Sequence, residues 1–258
     1  MLINWFRNRR RKQLLQEPWP AAWQEILTAN ISHVRHLPPD LNADLKQITR
    51  ILVAEKIWEG CAGLQVTEEM KVTIAAQAAI PLLKITHDYF DRVPSILVYP
   101  KPFLTTRPDD NADQDFVPDK AAEGQAVYRG PVILAWDEVL HDGKHPEEGE
   151  NVVIHEFAHQ LDYLDNSVDG VPPLESMDAR RQWKQVMQET LQQLHHQFEH
   201  HRKPLLFARA ASENLTELFA YASELYYCRP DLLSKDYPKV YELLKKYYGV
   251  ETTDWFRH

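Results

Sequence analysis

The sequence is poor in cysteine, in long apolar runs and in positive charge. Only Cys61 and Cys228 occur, far apart and without a CxxC partner. That excludes a disulfide framework and a cysteine zinc ribbon, and two buried thiols suit a reducing cytoplasm. No stretch approaches the roughly 18 apolar residues of a membrane span. A net charge of -9 does not offer the basic surface that phosphate neutralisation requires, so direct nucleic-acid binding is not expected. Internal repeats and low-complexity tracts are also missing. What remains is 258 residues at 44% hydrophobic content, enough to build a core without staples.

The opening "MLINWFRNRRRKQLLQEPWP" puts its basic cluster after its apolar residues and has no h-region, so it does not read as a secretory or twin-arginine signal. Residues 1–18 are expected to form a basic mobile arm, with membrane-surface or partner contact as the alternative. From Trp19 to about Leu83, apolar residues three and four apart predict helices, punctuated by Pro38-Pro39 and Gly60/Gly63; a third begins near Thr67 and ends or kinks at Pro81. "SILVYPKPF" and "GPVILAW" read as strands. Between them "TTRPDDNADQDFVPDKAAEGQ" is an acidic polar loop, a candidate flap or insertion. Trp183, Met187, Leu191, Leu194 and Phe198 mark the core face of a long helix, and "ENLTELFAYASELYY" and "YPKVYELLKKYYG" supply two more. The expected fold is α+β and mostly helical with a small sheet: a helical part at 19–90, and residues 91–258 joined to it as one unit.

The chemistry concentrates in "NVVIHEFAHQLDYLD", residues 151–165. Helical residues advance about 100° each, so His155 and His159 lie about 40° apart on one face and can share an ion. Glu156 sits beside that face, placed to act on water rather than to bind. Val152, Val153, Ile154, Phe157, Ala158 and Leu161 make the rest apolar. Burying three polar groups unsatisfied costs on the order of 1 to 3 kcal/mol each, and a metal satisfies them together. A buried amphipathic helix with incidental histidines is the plainer alternative.

A catalytic zinc commonly has three protein ligands and an open position, and two candidates compete for the third. Asp165 lies six residues after His159, but a short-spacer ligand needs a sharp exit at a glycine, and Asp162 stands there. The other is a Glu on a later helix: Glu213, Glu217 and Glu224 share one face, and Glu217 sits among Leu215, Leu218, Phe219 and Ala220. Glu213 and Glu224 read as solvated or capping acids, Asp162 as an acceptor orienting a ligand or a helix cap. His196 and His200 have metal-binding spacing but no third ligand nearby, and read as a solvated helix end.

With "HLPP", "LVYPKPF", "GPVILAW", "NVVIHEFAHQLD" and "ENLTELFAYASELYY" in this order, the sequence resembles the Mlc titration factor A (MtfA) family of zinc metallopeptidases over nearly the whole chain. The resemblance implies His155, His159 and Glu217 as ligands of one zinc ion, Glu156 as general base and acid, and a gluzincin-like core with a packed helical N-terminal part. The family often has Tyr seven residues before the ligand Glu, where this chain has Ala210. An oxyanion donor is therefore unassigned; Tyr221, one turn after Glu217, is the candidate, with aromatic packing its alternative.

The expected activity is hydrolysis of peptide bonds, aminopeptidase-like or internal, with substrate held in extended form along the edge of "GPVILAW". The competing expectation, also implied by the resemblance, is a cytoplasmic binding protein that titrates a transcription repressor of the Mlc type.

Overall fold

The computed structural model describes residues 2–104, 121–122, 124–127, 130–200 and 205–255. In chain order these form α1 (Leu2–Gln16), α2 (Ala21–Asn30), α3 (Pro39–Glu55), β1 (Ile57–Gly60), α4 (Glu68–Ala79), β2 (Ser95–Tyr99), β3 (Phe103–Leu104) and β4 (Ala121–Ala122). Then come β5 (Gly124–Ala126), β6 (Val132–Ala135), α5 (Trp136–Lys144), α6 (Val152–Asp162), α7 (Met177–His200), α8 (Leu215–Cys228), α9 (Pro230–Asp236) and α10 (Pro238–Tyr248). The chain is mostly helical with a small mixed sheet, and its described residues include no helix long and apolar enough to cross a membrane.

The sheet has the order β1-β2-β6-β5. β1, β2 and β6 are parallel, and β5 runs antiparallel to β6 with Gln125 opposite Ile133. β3 and β4 form a separate antiparallel pair. β6 has a parallel partner on one side and an antiparallel one on the other, and its Val132, Leu134 and Ala135 are fully buried. The strand "GPVILAW" is therefore internal, and the edge expected of it belongs to β5, inside the segment read as a polar loop. β1 corrects a second expectation: "IWEG" continues a helical pattern, but the helix ends at Lys56, whose ammonium donates to the Phe90 carbonyl at 2.5 Å. β1 then pairs with β2, so the sheet draws on both sides of residue 90.

Residues 2–16, expected as a basic arm, form the helix α1. Arg11, 8% exposed, donates to both carboxylate oxygens of Glu55 at 2.8 and 2.6 Å, and Arg7 pairs with Asp91. These partners lie 44 and 84 residues away, which is why the local sequence reads as solvated. The core stripe expected in α7 holds at Trp183, Met187 and Leu194, with Leu191 and Phe198 partly buried against it. His196 and His200 stack on one another at 4.4 Å at the exposed end of that helix and belong to no three-ligand group among the described residues.

His33, fully buried between α2 and α3, donates Nε2–H to the Tyr227 carbonyl of α8 at 3.0 Å. Burial, against the pull of that hydrogen bond, lowers its pKa from 6.5 to about 4. The folded protein therefore binds this proton less readily than the unfolded chain. Stability from this group is complete above about pH 6.5, falls as pH drops toward 4, and is lost no further below that. The loss amounts to about 3 kcal/mol. Urea denaturation of wild type and His33→Gln across pH 4 to 7 is expected to show that slope in wild type and a shallower one in the variant. Parallel slopes would contradict it.

Candidate metal centre

α6 is placed by its N-cap, Asn151. The Asn151 carboxamide oxygen caps the helix by accepting from Ile154 N at 2.9 Å, while its NH2 donates to Gln77 Oε1 of α4 at 2.7 Å. Asp142 of α5 accepts from Val152 N at 2.8 Å, and Glu224 of α8 accepts from Asn151 N at 2.6 Å. Three elements thus hold the start of the helix, and every backbone donor named here is satisfied. Apolar Val153, Ile154, Phe157, Ala158 and Leu161 are fully buried, which turns His155 and His159 toward α8.

There the ligand atoms of His155, His159 and Glu217 all lie within 4.8 Å of one another. The two Nε2 atoms are 3.1 Å apart, and they stand 3.4 and 3.6 Å from the Glu217 carboxylate oxygens. Zinc bonds of about 2.0–2.1 Å in a tetrahedron set donor atoms about 3.3 Å apart, so the cluster has the size the ion needs. Two imidazoles and one carboxylate are also the donor set of a catalytic zinc. Nδ1 of His155 lies 2.7 Å from Glu224 Oε1, which fixes the tautomer and turns Nε2 to the cluster. Asn214 caps α8 by accepting from Glu217 N at 2.9 Å, so Glu217, the third candidate donor, sits in a helical first turn.

The electrostatics follow from burial beside acids. Burial opposes a charge on His155, but Glu224, Glu217 and Glu156 together raise its pKa well above the usual value. His159 goes the other way, to about 3, through burial and then the charge of His155. Glu156, 5% exposed, is raised to about 8, mainly by burial, and its carboxylate accepts from the Ala126 backbone.

These groups open onto a cleft of about 730 Å³ walled by β5 on one side and by Val168, Asp169 and residues 214–217 on the other. Among the described residues β5 is an edge strand of the sheet. Val127 N bonds Pro131 O across to β6, and backbone groups alternate in direction along an antiparallel strand, so those of Gly124 and Ala126 face away from β6. Gly124 cannot carry a side chain: a Cβ there would stand 2.7 Å from Glu156 Oε1 and 2.6 Å from Val152 Cγ2.

Several sequence expectations change at this level. Glu217 is part-exposed at 28% on the cleft wall rather than buried; the buried acid is Glu224, read from sequence as solvated. Asp162 orients no histidine. It accepts from Gly170 N and Val171 N at 3.0 and 2.9 Å and pins the loop beside α8. Asp165 bonds Arg180 and Ser167 and stays outside the cluster. Tyr221 packs edge-on against the His155 ring at 4.7 Å, and Ala210 lies on a short turn before α8. Tyr163, passed over in sequence, lines the cleft with its ring stacked over His159; its position four residues after His159 was the available signal.

The sequence profile described as glucose-regulated metallo-peptidase M90 matches residues 5–249. A Synechocystis sp. protein, slr2042, is 32% identical over 94% of this chain and 88% of its own length. A protein named Mlc titration factor A from Edwardsiella ictaluri is 28% identical over 96% of this chain and 93% of its own, and one of that name from Yersinia pestis 27% over 95% and 88%. The match runs from Trp5 in α1 past the end of α10, and the chain belongs to the glucose-regulated metallo-peptidase M90 family.

Proposed function

We propose that the protein is a zinc-dependent peptidase of the gluzincin kind, with HExxH on one helix and a distant Glu on another. His155, His159 and Glu217 hold the ion. The observation that carries this reading is the 3.1, 3.4 and 3.6 Å spacing of their donor atoms. When bound, zinc supplies Lewis acidity toward water and a peptide carbonyl. Glu156, buried beside the cluster, takes a proton from the attacking water at its carboxylate and returns it to the leaving amine. The outward backbone groups of Gly124 and the carbonyl of Ala126 hold substrate as an added strand, the Ala126 N–H being engaged by Glu156. Glu224 keeps His155 oriented and touches no substrate.

Chelation is expected to abolish hydrolysis of a peptide library, and zinc to restore it. Release of single N-terminal residues would assign aminopeptidase action; internal fragments would assign endopeptidase action. Full turnover by metal-free protein would overturn the reading.

The name of the Edwardsiella and Yersinia relatives favours a second role, titration of a transcription repressor of the Mlc type. Both roles fit one chain. Binding of such a repressor by Glu156→Gln protein separates capture from cleavage.

A further inference from the structure

α1 is a basic island on an acidic protein. It carries Arg7, Arg9, Arg10, Arg11 and Lys12 and no acidic residue. Taking these five cations from the chain's -9 leaves -14 on the remainder. Two of them are spent on the body, Arg7 on Asp91 and Arg11 on Glu55. Arg9, Arg10 and Lys12 are exposed and make no ion pair among the described residues.

The same outward face presents large apolar groups. Trp5 and Phe6 are 54% and 62% exposed and meet edge-on at 4.9 Å. Trp5, Arg9 and Lys12 follow the i, i+4, i+7 stripe of one helix face, with Phe6 and Arg10 beside it. The Arg9 guanidinium stands 5.5 Å from the Trp5 ring centroid. Ile57, 60% exposed, follows Lys56, which lines a small cavity with Phe6.

We propose that this face docks the protein on an anionic phospholipid surface, with Trp5 and Phe6 seated among headgroups and Arg9, Arg10 and Lys12 on lipid phosphates. Aromatic rings flanked by cations are the composition of an interfacial helix. The acidic remainder is repelled by the same surface, so α1 sets the orientation. A second copy is a poor occupant, because a two-fold contact would press the basic faces together. The two ion pairs to Asp91 and Glu55 make α1 a rigid contact rather than a tether.

The test is flotation of full-length, zinc-loaded protein with phosphatidylcholine vesicles, with and without an equal share of phosphatidylglycerol. Binding is expected only with phosphatidylglycerol and is expected to weaken with salt. Arg9→Gln with Arg10→Gln should lower affinity about 25-fold, at about fivefold per cation. Trp5→Ser with Phe6→Ser should lower it about tenfold or more at unchanged charge. Both variants should cleave a short soluble peptide at the wild-type rate. Equal binding to both vesicles, no binding, or full binding by the aromatic variant would overturn the proposal. So would tighter binding to a DNA duplex at equal phosphate concentration, or a dimer that the aromatic variant loses.

Discussion

Glu156→Gln is expected to lower kcat/KM for peptide hydrolysis by about 10³-fold, within the range a positioned acid/base contributes, while metal content stays at the wild-type level. The substitution suits the site because it changes little else. Gln has the volume of Glu, which matters where the neighbouring strand approaches so closely that Gly124 has no room for a Cβ. Its amide oxygen still accepts from the Ala126 backbone. It cannot take or return a proton. Peptide hydrolysis and metal analysis on the same preparation decide the matter: wild-type turnover with wild-type metal would remove Glu156 from the mechanism.

Glu217→Ala is expected to lose the metal, by more than the roughly 10–100-fold that partners outside the ligand shell contribute. It deletes the only anionic donor of the three-ligand group. A graded series sharpens the test. Glu224→Gln, which weakens the acceptor on His155 Nδ1, should cost metal affinity about 10–100-fold. Asp165→Ala should leave it unchanged, because that carboxylate is occupied by Arg180 and Ser167. Competition with a chromogenic zinc chelator measures all three. Normal binding by Glu217→Ala alongside loss in Asp165→Ala would move the ligand to the short spacer.

The parts of this site that are legible in sequence are those governed by local geometry. Two histidines four apart on an apolar helix share a face whatever the rest of the chain does. The choice among Glu213, Glu217 and Glu224 is different, since the sequence pattern puts all three on one helix face; in the fold α8 begins at Leu215, which leaves Glu213 outside it, and packing against α6 distinguishes the other two. Local apolar neighbours suggested that Glu217 is buried; in the fold its first-turn position opens it to the cleft, and Glu224, two turns deeper, is the enclosed one. β5 was illegible because three residues, Gly124 to Ala126, carry no strand pattern and become a strand only through pairing with β6. The helices and the strands β2 and β6 were readable from apolar periodicity and β-branched runs. The contacts of α1 are not legible locally, because its partners Glu55 and Asp91 are remote acids.

The seam at Asn151 bears on how such proteins can recombine. Gln77 and His33, both before residue 90, bond to Asn151 and Tyr227, so each half of the chain completes the other's buried hydrogen bonding. A chimera that crosses over at residue 90 between relatives inherits a working site only if both pairs travel together. Mutational libraries therefore do better to exchange positions 77 with 151 and 33 with the α8 backbone as linked blocks than to shuffle the halves freely.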